Sequence, residues 1–467
     1  MTTEETLQAP SPAPVHRPSP PPGRAPAPSS SPTRTLVASM LGLALILLDA
    51  SVVNVALPSM GSSLGGGMSG LQWVVDAYTV TFAALLLSTG ALSDRIGASR
   101  AYTIGITLFT LASVACALAP GLATLIGFRV VQGVAAAVVL PTTLALVRQA
   151  YADPARRRRA VSLWAAGGTT ASALGPVVGG ALTTAWDWRA VFLINLPLGL
   201  LALALAFRAS PSERRAAPLD LPGQLTAVLA LAGLAFAVIE KGTLALVSLG
   251  VAVVALAAFL RIETRQPHPV VPLRLFRDRT VAVAVGAGSA ISVAYYGMLF
   301  VFSLFFQQVR EQSAFAAGLM FLPMTAAVVG ANVLSGRLAN RYGPRRPMLV
   351  GQSMSVVGLL LLLLVGEDTS LLLTAVLLVP LSAGAGLALP PLTALMMDAV
   401  PADRAGVAAG VLNGARQVSG GLGVAAFGAL VANGFHAGLR ASLVISAVLL
   451  TVTTLATARP GRGTPTA

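Results

Sequence analysis

Gly90-Ala-Leu-Ser-Asp94-Arg95-Ile-Gly97-Ala-Ser-Arg100 returns 246 positions later as Gly336-Arg-Leu-Ala-Asn340-Arg341-Tyr-Gly343-Pro-Arg345-Arg346. Both copies share a glycine, a polar residue four on, an arginine, a second glycine and a basic end. Each copy leaves a long apolar run. Such runs, of the length needed to cross ~30 Å of hydrocarbon, recur along the chain. They fall at about 36–56, 72–92, 101–120, 122–147, 160–184, 190–207, 222–239, 243–260, 280–307, 315–336, 347–366, 370–397, 405–432 and 441–457. The two copies follow the second and tenth runs, and Pro141 and Pro390 sit in similar surroundings in the fourth and twelfth. The expectation is an all-α membrane protein of fourteen transmembrane helices: two six-helix bundles, 35–207 and 279–457, with a helical pair inserted in 208–278. Alternating ten-residue barrel strands are absent.

Composition agrees. Of 467 residues 55% are apolar and 10% charged, against about a quarter charged in soluble domains. Residues 1–34 carry ten prolines and no long apolar run, so they read as a disordered cytoplasmic tail; 458–467 read as a second. The net charge of +14 would suggest nucleic acid on a soluble protein, but the positions of the basic residues decide otherwise. With both termini cytoplasmic, inner segments hold 25 of the 31 Lys and Arg and outer loops four: Arg189, Lys241, Arg310 and Arg440. That asymmetry is how a chain is threaded through a membrane, and no nucleic-acid partner is expected. Trp73, Trp186 and Trp188 fall at outer ends, as interfacial anchors do.

The two remaining basic residues, Arg129 and Arg416, lie inside spans. An ionised carboxylate in a span is costly, so Asp49, about 20 Å from the inner end at 1.5 Å per residue, is the strongest candidate proton carrier. Arg129 reaches a comparable depth and is its natural partner, with Gln132 one turn on. Asp76 reads as a second proton site, a cation-attracting group or a solvated helix end. Arg416, beside Asn413, has no acid at its depth and is left between carbonyl hydrogen bonding and contact with an anionic substrate group. Asp94 is positioned to latch the inner face. In Gly175-Pro176-Val-Val-Gly179-Gly180 small residues permit close helix contact and the proline bends the helix. Asn54, Gln132, Tyr295, Tyr296, Phe300, Asn413 and Arg416 are candidates for an amphiphile-binding cavity. No phosphate-cradling loop is present, since the one lysine follows Glu240, so neither nucleotide nor cofactor is expected. The three histidines are isolated and Cys116 is alone, so no metal site is expected. No nucleophile and base share a depth, so an enzyme is not expected.

Leu48-Asp49 to Pro58, Gly90 to Arg100, Arg129-Val-Val-Gln132-Gly133 and Gly175 to Gly180 resemble, in chain order, four signature motifs of the major facilitator superfamily. With fourteen spans the chain is similar to the fourteen-helix drug:proton antiporters, including actinobacterial methylenomycin-type resistance exporters. The resemblance covers residues 36–457. It implies proton coupling at Asp49 and Arg129, an inner gate at Gly90, Asp94, Arg95, Gly97 and Arg100, and an antiport-associated helix at Gly175, Pro176, Gly179 and Gly180. It implies a plasma-membrane exporter with protons and a small amphiphile as partners. The thirteenth span lacks the acids carried by relatives that export dications. A proton-coupled metabolite symporter or facilitator is the alternative, and a non-transporting membrane sensor the third reading.

Overall fold

The computed structural model describes residues 31–206, 220–266, 271–400 and 405–459; most of the proline-rich tail, the 207–219 stretch and the last eight residues lie outside these. Each expected run is occupied by a helix: α1 (Pro32–Leu64), α2 (Met68–Ile96), α3 (Ala98–Ala117), α4 (Leu122–Ala150), α5 (Pro154–Ala185) and α6 (Ala190–Ala206). Next come α7 (Leu221–Ile239) and α8 (Thr243–Arg265). The chain ends with α9 (Arg279–Val309), α10 (Ala314–Tyr342), α11 (Arg345–Leu362), α12 (Leu371–Asp398), α13 (Ala405–Ala432) and α14 (Phe435–Ala458). Among the described residues, ten of these helices are long and apolar enough to cross a membrane. The others are α2, α5 and the shorter α6 and α11.

α1 to α6 pack on one another, as do α9 to α14, while α7 lies against α2 and α13 with α8 outside it. The two groups meet chiefly where α1 lies against α9, α2 against α13 and α5 against α10, with α1 also touching the start of α10. The contacts are concentrated towards the end marked by Gly65, where a single apolar core runs from Val52, Met60, Leu71 and Phe192 to Phe302, Phe306 and Phe321. At the opposite end, marked by Gly97, the lower turns of α5 and α10 expose Leu163, Val333, Leu334 and Tyr342. The molecule is closed at one end and opens towards the other.

Sequence placed the end of the first span near Ala56, before Pro58, yet α1 runs on through that proline to Leu64. Proline frees the carbonyl four residues earlier, and in an apolar setting that oxygen needs another donor. For Pro58 the freed group is on Asn54, and it accepts from Ser303 Oγ of α9 at 2.9 Å. For Pro141 it is on Ala137, which accepts from Thr89 Oγ1 at 2.6 Å. For Pro391 it is on Leu387, which accepts from Ser335 Oγ at 2.7 Å. Thr89 and Ser335 immediately precede Gly90 and Gly336, so the internal repeat extends from sequence into hydrogen bonding. Each copy then ends its helix on a glycine in the left-handed region, Gly97 at φ 91° and Gly343 at φ 78°, where a side chain would be strained. Trp188, expected as an interfacial anchor, is instead buried in the core and meets Phe192 edge to face.

Replacing Thr89 with valine keeps its volume and removes the donor for Ala137. We expect a loss of about 1–3 kcal/mol of stability in detergent thermal unfolding, with Thr89→Ser close to wild type; equal losses in both would remove the hydrogen bond as the cause.

Candidate functional site

Five helices of the first bundle converge on Asp49, whose side chain is fully buried in α1. Its Oδ2 pairs with Nη1 of Arg129 from α4. Its Oδ1 accepts from Asn195 Nδ2 of α6 at 2.7 Å and from Gln132 Nε2 at 3.3 Å. Arg129 is buried too, and its Nε donates to the Val74 carbonyl of α2 at 2.9 Å. The Tyr78 ring covers the guanidinium, 4.2 Å from centroid to Cζ. Gln132 Oε1 accepts from Arg129 Nη1 at 2.9 Å and from the Cys116 thiol at 3.3 Å. Ser113 Oγ accepts from Asn195 and donates to the Phe192 carbonyl. Two charges removed from water this far are stabilised only when nearly every polar atom around them is paired, and this network does that. The structure thus brings Asp49, Arg129 and Gln132 together.

Asn195, Tyr78, Ser113 and Cys116 were missed as members. Asn195 carried a readable signal, the one amide in the apolar run 190–207, at the break in α6 around Ile194. The others look like ordinary core residues until the fold is known.

Asp76 is apart from this network although it lies between Val74 and Tyr78 on the same helix. It points the other way, to Gly421 of α13, is fully buried, and has no hydrogen-bond partner on either carboxylate oxygen among the described residues. A carboxylate in that setting is stable only when neutral or when a partner arrives. Close beside it Gln72 Nε2 donates to the Ala425 carbonyl across the seam at 2.6 Å. α2 is therefore the wall shared by the charge network and the seam.

The other candidates occupy three places. Gly175 and Gly179 face Ser51 and Val52 of α1, and a Cβ on either would collide with that helix. Gly180 faces Ala314 of α10, while Gly318 of α10 faces the Pro176 carbonyl, so this segment is where α5 touches both bundles. Thr325 Oγ1 donates to the Ala173 carbonyl at 2.6 Å and Thr184 accepts from the Phe315 backbone at 3.0 Å. In the Gly97 turn Arg95 and Arg100 are exposed and Gly90 faces open space; the Asp94 side chain lies outside the described residues. In the second bundle Tyr295 and Tyr296 are half-buried and meet edge to face at 5.4 Å. Arg416 is half-buried against Gly288 of α9. Its Nε has no partner among the described residues, and its Nη1 is 3.5 Å from Asn413 Oδ1. Phe300 is fully buried in the core, and the Asn54 amide is turned back onto the Ala50 carbonyl at 3.1 Å. The repeat offset of 246 carries Asp49 to Tyr295, so the second bundle has aromatic rings where the first has its ion pair. Among the described residues no group of three His, Cys, Asp or Glu is placed to hold a metal ion.

The Major Facilitator Superfamily model matches residues 39–424. The chain belongs to that superfamily. Within it, the chain is 40% identical over 406 residues to the multidrug resistance protein Stp of Mycobacterium tuberculosis, covering 85% of this chain and 75% of Stp. It is 37% identical to the methylenomycin A resistance protein of Streptomyces coelicolor, covering 85% of each. Among solved structures, a bacterial homologue of the human lysosomal transporter Spinster, in an inward-facing, unoccupied conformation, aligns with a TM-score of 0.66 at 18% identity, over 93% of this chain and 98% of that one. A D-xylose–proton symporter aligns with a TM-score of 0.67 at 15% identity, over 92% and 98%. These two show the fold.

Arg129→Leu leaves Asp49 buried without its counter-charge and is expected to cost about 3–5 kcal/mol. Combining it with Asp49→Asn should restore most of that loss in a thermal double-mutant cycle. A double variant no more stable than Arg129→Leu alone would refute the pairing as the stabilising element.

Proposed function

We propose that this chain is a fourteen-span antiporter of the plasma membrane that exports amphiphilic drugs or antibiotics in exchange for protons. It works by alternating access and is not an enzyme. The observation that carries the reading is the buried Asp49–Arg129 pair on a chain so similar to multidrug and methylenomycin resistance proteins. The 25-to-4 distribution of basic residues supports placing both termini and the Gly97 end in the cytoplasm. With that orientation the present conformation is inward-facing.

Protonation of Asp49 removes the charge that holds Arg129, and Gln132 and Asn195 remain to bond the neutral acid. Arg129 also grips Val74 and Tyr78 of α2, so a change in its position acts on the helix that carries Asp76 and Gln72 at the seam. Asp76 is the second proposed proton site: buried without a partner among the described residues, it would gain water when α2 and α13 part. Substrate is proposed to enter from the cytoplasm between the bundles, past Tyr295, Tyr296, Asn413 and Arg416. Gly175, Pro176, Gly179 and Gly180 give α5 a close, side-chain-free contact on which the bundles rock. The turn at Gly90, Asp94, Arg95, Gly97 and Arg100 is proposed to close the cytoplasmic end in the opposite state. The proposed units are bundles at 35–207 and 279–457 and the inserted pair within 208–278. A proton moving down ~150 mV releases roughly 3.5 kcal/mol, enough for about 2.5 decades of drug gradient.

In proteoliposomes a gradient acid on the outside should drive efflux of a fluorescent amphiphile. Asp49→Asn should lower this at least tenfold, and Asp76→Asn should lower it while leaving substrate exchange without a gradient measurable. Gradient-driven efflux that persists in Asp49→Asn would sink the coupling assignment.

A further inference from the structure

α7 and α8 have no counterpart in either bundle. α7 lies along the seam, in contact with α2 on one side and α13 on the other. Its attachment to the two is unequal. To α2 it is fixed at both ends: Gln224 Nε2 donates to the Ala84 carbonyl at 2.5 Å near the Gly97 end. Near the Gly65 end Glu240 Oε1 accepts from both Ser69 Oγ and Trp73 Nε1, each at 2.9 Å, and Trp73 packs on Phe236 with centroids 5.4 Å apart. Towards α13 the polar bond seen among the described residues is at the Gly65 end, from exposed Lys241 Nζ to Oδ1 of Asn433, the residue after that helix, at 2.8 Å. Adjacent residues of one turn thus reach opposite bundles across the closed mouth. The next residue, Gly242, has φ 74°, so the turn reverses sharply into α8 straight after the two contacts.

We propose that Glu240 and Lys241 form a strap across the closed end of the seam, in which Glu240 is the permanent anchor on the first bundle and Lys241 the releasable catch on the second. The inserted pair then travels with α2 when the bundles rock, and Lys241 leaves Asn433 each time the mouth opens. An exposed, single hydrogen bond from a flexible lysine is weak. It biases the closed state and does not lock it, which a transporter that must cycle requires. The proposal rests on the alternating-access reading only in assuming that the mouth opens.

The test measures how often the mouth opens, with neither substrate nor gradient present. Ala425 is fully buried on the face of α13 that meets Gln72. In nanodiscs Ala425→Cys is labelled by maleimide only through openings, so its rate follows the open fraction when closing outpaces reaction. Adding Lys241→Ala should raise the rate about two- to fivefold. Asn433→Ala should raise it equally, and the two together should do no more than either alone. Lys241→Arg should stay near the starting rate, and unfolding temperatures should be unchanged, which separates a catch from a general loosening. A rate unmoved by Lys241→Ala, or effects of Lys241→Ala and Asn433→Ala that multiply, would overturn the strap. Loss of proton-driven efflux with the labelling pattern intact would instead count against the exchange mechanism alone.

Discussion

A backbone carbonyl in hydrocarbon has no water to turn to, and this fold is arranged around that constraint. Pro58, Pro141 and Pro391 each withdraw an amide hydrogen from a helix interior. Hydroxyls on neighbouring helices, Ser303, Thr89 and Ser335, supply the missing donors. Two of these bonds lie within bundles and occupy matching places in the repeat. The third crosses between bundles, so the first bundle's freed carbonyl becomes part of the closed mouth. The other bonds described directly between the two bundles are also neutral: an amide on a carbonyl at Gln72 and at Gln307, a hydroxyl on a carbonyl at Thr325, and a backbone amide on the Thr184 hydroxyl. Each contributes about 0.5–1.5 kcal/mol. A seam of that kind holds through apolar packing and gives way without leaving charges stranded.

The paired intramembrane charges are instead kept inside the first bundle. Asp49 and Arg129 are both satisfied, and the ring of Asn195, Gln132, Tyr78 and Val74 around them means that a proton added to Asp49 redistributes bonds among groups already in place. Asp76 is the opposite case, a carboxylate whose two oxygens find no hydrogen-bond partner among the described residues. One helix carries both situations on different faces. Residues 74 and 78 serve the ion pair, 72 and 76 the other bundle, and 69 and 73 the α7–α8 turn.

Much of this was legible in the chain before folding. Helix positions followed from apolar run length because hydrocarbon leaves the backbone so few options. The partnership of Asp49 and Arg129 followed from matching depth, since an intramembrane charge has few places to find its opposite. The sequence hid whatever depends on azimuth. Trp188 sits at a helix end like an interfacial anchor, yet its ring turns inward. Phe300 reads like Tyr296 but lies in the core. Nothing in the spacing of Asn54 shows that its backbone carbonyl serves the seam while its side chain bonds locally. The end of α1 was also missed, where Pro58 looked like a stop, because the donor that rescues the helix, Ser303, is 249 residues from the carbonyl it serves.

The placing of α7 and α8 has one more consequence. Between Leu71 and Val80 no residue of α2 is exposed, whereas α8 presents Leu246, Val247, Val253 and Val254 to its surroundings. The pair stands between the α2–α13 seam and the acyl chains of the bilayer. Along that side lipid tails cannot wedge into the joint when it parts, nor can an apolar passenger slip sideways out of it. In a two-bundle transporter without such a pair, this line of contact would open directly onto lipid.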